Sequence, residues 1–229
     1  MRGSQPPSGS DSDNSQNKLA FLLSECRWDD AISRLRSHPS EASELADLSP
    51  GTEAGDGNRD LPLHVCCRLR PPPSVVEALL TANPSAASLP GGNDAEESLS
   101  GVLAGPLPLH IAVSHDSADA IAPLLECHPR AAMLRDSTGR LPVHLVCMSS
   151  LNGDEVGGGR SEVLEELLMV YPEGLYERDT TGKTAADYAK VTVDRAAAQG
   201  SGREEEFAAV LERGEAFYTV ARLGESTLV

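Results

Sequence analysis

Aromatic side chains are scarce in this chain of 229 residues, making up 3% of it, with Trp28 the single tryptophan. That scarcity argues against a β-sandwich or barrel, whose pleated faces draw on aromatic and β-branched residues. Basic clusters are missing too. The formal net charge is −16, and Lys and Arg form only scattered pairs such as Arg68 and Arg70. Bulk binding to nucleic acid or to an anionic membrane needs clustered cations, so neither partner is expected. No stretch approaches the ~20 apolar residues of a membrane span. Residues 1–17 are rich in Ser, Pro, Gly and Asp, with no apolar residue after Met1. They read as a disordered tail. They lack the apolar core of a signal peptide, and Asp11 and Asp13 oppose a transit peptide. The expected location is intracellular, cytoplasmic or nuclear. The five cysteines are an odd number without a CxxC pair, which speaks against a disulfide framework and for reduced thiols.

What the chain does have is two recurring words. Leu-Pro-Leu-His occurs at Leu61–His64 and Leu107–His110, and returns as Leu-Pro-Val-His at Leu141–His144. Between the copies stand Pro39, Pro84, Pro129 and Pro172, spaced 45, 45 and 43 residues apart. Four residues before these prolines lie Leu35, Leu80, Leu125 and Leu168. Eight before lie Ala31, Val76, Ile121 and Leu164. Such offsets put the apolar residues on one helical stripe, which the proline then ends. Three residues after them come Ala42, Ala87, Ala132 and Leu175. The Leu-Pro word opens a shorter helix, because proline suits a first helical turn. Each unit therefore reads as turn, short helix, longer helix and proline-containing exit. Units of this kind bury their apolar faces against one another.

Before the later copies stand Asp136-Ser137-Thr138-Gly139-Arg140 and Asp179-Thr180-Thr181-Gly182-Lys183. With the helix-opening word, these turns make the chain resemble the ankyrin-repeat family, whose word is Thr-Pro-Leu-His-x-Ala with a period near 33. Here Leu replaces Thr. The stretch Gly182–Ala189 is similar to a late unit that has lost its His. The resemblance spans roughly 18–223. It implies an all-α fold: an ankyrin-like α-solenoid of stacked helix pairs with hairpin and loop connections and terminal caps. The units are expected at about 18–48, 56–90, 103–135, 136–178 and 179–223, with a short tail at 224–229.

Some segments depart from that pattern. Three insertions, 49–58, 91–105 and 149–160, are rich in Ser, Gly and acids and read as flexible surface loops. Position 59 is Arg where later copies carry Gly, so the first hairpin is the least regular. Leu19–Cys26 and Trp28–Ser37 read as a first helix pair acting as a cap, with Asp29 or Asp30 capping the second helix. Arg203–Leu223 reads as a closing helix with Phe207, Val210, Leu211, Gly214, Phe217 and Ala221 on one stripe, preceded by a linker over Val193–Gly202. Caps at both ends lead to the expectation of a whole array rather than a piece of one.

The repeat histidines are expected to bond hairpin backbone rather than hold a metal. Cys66 and Cys147 fall in small apolar core slots. Acid pairs such as Asp29-Asp30 and Glu165-Glu166 are expected on solvated helix faces. Gly-x-Ser-x-Gly is absent, and Gly157–Gly159 is not followed by the Lys-Ser/Thr of a phosphate loop. No catalytic residues, cofactor or metal are expected. The resemblance implies a non-enzymatic scaffold, monomeric, holding a protein partner in a concave groove of hairpin tips and first-helix faces. The residues for that groove are Arg59, Asp60, Ser137, Thr138, Arg140, Thr180, Thr181 and Lys183, with Arg68, His115 and Met148 from the first helices. Two other readings stay open. One is an adaptor acting through its tail and loops, with Ser10, Ser12 and Ser15 as phosphorylation sites. The other is a metal- or thiol-dependent enzyme using His144 and the cysteines. The acidity serves solubility or steers a basic partner.

Overall fold

The computed structural model describes residues 18–47, 59–91, 105–149, 159–199 and 204–225. The tail 1–17, most of the three insertions and residues 226–229 lie outside the described residues. The described chain is all-α. In chain order its helices are α1 (Lys18–Ser24), α2 (Trp28–Ser37), α3 (Pro62–Cys67), α4 (Pro73–Ala82), α5 (Pro108–Ser114), α6 (Ala118–Cys127), α7 (Pro142–Ser149), α8 (Arg160–Val170), α9 (Ala185–Gln199) and α10 (Glu204–Glu225). Two short strands, β1 (Ala46–Asp47) and β2 (Arg59–Asp60), pair antiparallel with Ala46 opposite Asp60.

Proline sets the helix boundaries. Pro62, Pro108 and Pro142 each occupy the first position of a helix, where a missing N–H leaves no bond unmade. The second set acts at the other end. His38, Asn83, His128 and Tyr171, which precede those prolines, leave the helical region with φ near −140°. The proline ring forbids the helical conformation there. Each still donates its N–H to the carbonyl four residues back, as in His38 to Arg34 at 2.8 Å and Tyr171 to Leu167 at 2.8 Å. A 3-10 turn follows every time: Pro39–Ser43, Pro84–Ser88, Pro129–Met133 and Pro172–Leu175. The turns bury Ala42, Ala87, Ala132 and Leu175, the residues that recur in sequence.

The helices pack in two rows. In one row α1 touches α3, α3 touches α5, α5 touches α7 and α7 touches α9. In the other, α2 touches α4, α4 touches α6, α6 touches α8 and α8 touches α10. Each odd-numbered helix also packs on the next even-numbered one. The core runs between the rows and holds Leu23, Leu63, Leu79, Leu109, Leu124, Leu164 and Leu167, all essentially sealed from solvent. Burying a leucine contributes about 1.5–3 kcal/mol, so the periodic stripe is the main source of cohesion.

Polar bonds fix the register between successive helix pairs. Asn83 Nδ2 donates to the Ala42 carbonyl at 3.2 Å, Ser117 Oγ to the Cys67 carbonyl at 2.6 Å and Thr192 Oγ1 to the Cys147 carbonyl at 2.9 Å. At the last hairpin Thr184 and Asp187 form a reciprocal cap on α9. The Thr184 N–H donates to Asp187 Oδ2 at 2.9 Å and the Asp187 N–H to Thr184 Oγ1 at 3.1 Å.

Three expectations need correction. Residues 193–199 continue α9 instead of forming a linker, because Val193 packs against the core and Ala196–Ala198 favour helix over an open connection. Neither Asp29 nor Asp30 caps α2. The cap position is Arg27, without a side-chain cap, and Asp30 pairs with Arg27 instead. Both acids sit inside the first turn, where they still favour the helix dipole. The closing helix runs to Glu225, and its Phe207 and Val210 are buried as the stripe requires. The side chains of Phe217 and Ala221 lie outside the described residues.

Candidate binding surface

Two hairpin tips are built alike. Asp136 donates its N–H to the Arg140 carbonyl at 2.9 Å, and the Gly139 N–H returns to the Asp136 carbonyl at 2.9 Å. Asp136 Oδ1 then accepts from the Thr138 N–H, the Thr138 hydroxyl and the Arg140 N–H. The second tip repeats this with Asp179, Thr181, Gly182 and Lys183. Gly139 and Gly182 have φ of 72° and 79°, the left-handed region that closes each loop. An Asp at the loop start thus organises the turn from within.

Side chains stitch the tips together. Thr180 Oγ1 donates to the Thr138 carbonyl at 2.7 Å. Arg140 Nε lies 3.6 Å from Asp179 Oδ2, and the buried Tyr188 hydroxyl donates to the same oxygen at 2.7 Å. Burial alone pushes the Asp179 carboxyl up. Donors from Thr181, Tyr188 and the Lys183 amide outweigh it and hold the group well below the usual carboxylate range. Lys183 Nζ stands 5.3 Å from the centre of the Tyr188 ring. Arg135 bridges the tip bases, donating to the carbonyls of Gly139 and Arg178 and pairing with Glu177.

The expected groove residues therefore fall into two groups. Ser137, Thr138, Thr180, Thr181 and Lys183 are exposed on adjacent tips. Arg140 is half-buried and engaged with Asp179. Asp60 is buried, against expectation, and ion-paired with Arg68 at 2.5 Å. Met148 packs against the core from a half-buried position. His115 is exposed at the end of α5, where burial and the charges of Arg68 and Arg70 pull its pKa down. Arg59 pairs through its backbone in β2, and its side chain lies outside the described residues.

Sequence reasoning missed the ion cluster beside His115. Asp116, at φ 54°, accepts from Arg160 Nε at 2.8 Å and Nη2 at 3.0 Å, and from Arg70 Nη2 at 3.2 Å. Asp adopts the left-handed region more readily than most residues, and here its carboxylate clamps successive helix pairs together. The sequence signal was only an Asp at a helix–helix turn.

All three repeat histidines bond backbone through Nε2, and two of them through Nδ1 as well. His64 Nε2 bonds the Leu89 carbonyl, His110 Nε2 the Leu134 carbonyl and His144 Nε2 the Glu177 carbonyl, at 2.9–3.1 Å. Each acceptor lies five residues beyond the next unit's proline. Nδ1 of His64 and of His144 accepts the N–H of Leu61 and Leu141, both at 3.2 Å. Burial lowers the pKa of all three, that of His110 to about 4. The neutral ring is thus a strut between units. Burial also pushes the Cys67 and Cys147 thiols up to about 12, and Cys66 well up. Among the described residues no group of three or more His, Cys, Asp or Glu could hold a metal. No helix among them is long and apolar enough to cross a membrane.

No protein-family model matches the chain, and no curated protein matches it.

Proposed function

We propose that the two rows of helices form an ankyrin-like α-solenoid, and that the chain is a non-enzymatic scaffold holding a protein partner on its hairpin tips and first-helix faces. The observation that carries the reading is the constant register of the histidine struts. Three histidines in three copies of one word reach the same position of the following exit, which is how a repeat propagates along an array. The tips support it as well. Their frames are bonded internally, while Ser137, Thr180 and Lys183 remain exposed on a rigid base. Rigid loops bind with little ordering cost. The buried thiols and the fully engaged His144 ring favour this reading over a thiol- or metal-dependent enzyme.

The test is affinity capture from native lysate with quantitative mass spectrometry. It compares the intact chain with a Ser137→Arg, Lys183→Glu variant. Arg140 is left alone, because an acid there would face the buried Asp179 and break the hairpin. A protein depleted at least about ten-fold from the variant, a difference of about 1.4 kcal/mol, supports the tips as the site. Equal capture by both forms refutes them.

A further inference from the structure

A cavity of about 490 Å³ opens between α4, α6 and α8, on the row of even-numbered helices. Five carboxylates line it: Glu77, Asp119, Glu126, Glu162 and Glu166. None of the five has an ion pair or a side-chain hydrogen bond among the described residues. Oε2 of Glu166 is shut off from solvent and meets no donor there. Burial and the facing carboxylates of Glu126 and Glu162 push the Glu166 carboxyl above its ordinary range. The walls between the acids are small and apolar, with Ala122 and Pro123 on α6. Pro123 sits inside the helix and offers no N–H to the Asp119 carbonyl.

The contrast with the rest of the molecule is sharp. Eight ion pairs among the described residues engage eight arginines, and none reaches this cavity. Like charges gathered without a counter-charge destabilise a fold. Solubility asks for dispersed acids, not for five around one concavity. The occupant is not a single metal ion, since the carboxylates do not converge as a ligand set. It must be an extended cation with several donors and an apolar stem. A guanidinium on its three-carbon stem meets both demands, offering five N–H donors to separated carboxylates.

We infer that the groove between α4, α6 and α8 is a second docking surface, which takes an arginine-rich segment of a protein partner. It lies on the other helix row from the hairpin tips and is independent of them.

Fluorescence anisotropy with a labelled peptide of alternating Arg and Ala tests this on the full chain. The groove variant is Glu126→Gln, Glu162→Gln, Glu166→Gln. The control makes the same charge change on exposed acids elsewhere: Glu44→Gln, Glu173→Gln, Glu212→Gln. The groove variant is expected to bind about ten-fold more weakly, and the control less than about two-fold. Equal weakening in both would mean diffuse attraction to net charge and overturn the inference, as would no binding by the intact chain. A melting curve separates recognition from architecture. Relieving the repulsion is expected to leave the groove variant at least as heat-stable as the intact chain. A lower melting temperature would make these acids structural and sink the proposal. Displacement of the peptide by stoichiometric calcium would overturn the extended cation. The Ser137→Arg, Lys183→Glu variant is expected to bind the peptide normally, so failure of either surface leaves the other standing.

Discussion

His110 makes the stability of this chain depend on pH in a calculable way. Its ring is buried and bonds the Leu134 carbonyl at 3.1 Å, with the Asp136 carboxylate near enough to oppose the effect of burial in part. Burial pulls its pKa from 6.5 to about 4 in the folded chain, while the unfolded chain keeps the ordinary value. Between those two values the unfolded state binds a proton that the folded state refuses. Stability is therefore complete above pH 6.5 and falls as the pH drops toward 4. At pH 5 the loss from this one group is about 2 kcal/mol, approaching about 3 at the bottom of the window. Burial shifts His64 and His144 the same way and adds to it.

Other groups titrate nearby, and the experiment must separate them. Asp179 and Asp187 are depressed, so their stability contribution persists until the pH falls below 3.8. Glu166 is raised, so acid favours the folded state through it and works in the opposite direction. Lower pH also relieves the repulsion of the −16 net charge. A difference of differences cancels these. Urea unfolding of the intact chain and of His110→Gln is measured at pH 7.5 and pH 5. At pH 7.5 the variant is less stable by about 1–3 kcal/mol for the lost buried bond. At pH 5 the gap narrows by about 2 kcal/mol, or roughly 1 M in urea midpoint. A gap that stays constant between the two pH values would refute the buried neutral strut.

Two further perturbations check the hairpins and the thiols. Gly139→Ala and Gly182→Ala both force a side chain into the left-handed region, at about 1 kcal/mol each. Only at Gly139 does the new Cβ strike a neighbour, 2.5 Å from Thr180 Cγ2, whereas at Gly182 nothing lies within 4 Å. The first substitution should cost about 1 kcal/mol more by thermal unfolding, and equal costs would mean the tips are not stitched. In native protein at pH 8, a thiol reagent should label Cys26 and Cys127, which are exposed, and spare Cys66, Cys67 and Cys147 until unfolding. Rapid labelling of a third cysteine would reopen thiol chemistry.

The helices and their order were legible because they follow from local rules. Proline placement set their starts and ends, and offsets of three and four marked their buried stripes. The histidine role was legible in kind, since a buried neutral His must bond something nearby. Its acceptor was not, because Leu89, Leu134 and Glu177 belong to the following unit. Asp60 shows the same limit. Its position ahead of a helix suggested an exposed tip, but Arg68, one helix away, draws it inward as a buried pair. Glu165 and Glu166 look equivalent in sequence. Yet Arg213 of α10 reaches Glu165, while Glu166 turns into a cavity that exists only once α4, α6 and α8 are assembled. Periodicity marks which face of a helix is buried, and says nothing of which charges will share a concavity.

That difference decides where long-range electrostatics act on this molecule. Arg68, Arg70, Arg135, Arg140 and Arg160 are paired with carboxylates, so the cations the tips present are chiefly Lys183 and Arg178. Contacts there depend on shape and short hydrogen bonds, which salt barely affects. The groove on the other row keeps its field, because none of its carboxylates is ion-paired among the described residues. If both proposals hold, a partner that carries arginines would be drawn to the groove by long-range attraction, while binding at the tips would depend on contact alone. Raising the ionic strength from 0.01 to 0.15 M shortens the screening length from about 30 to about 8 Å. Groove association should slow sharply over that range while tip contacts persist. Equal salt sensitivity at both surfaces would mean that the charge of this chain is a property of its composition and not of its architecture.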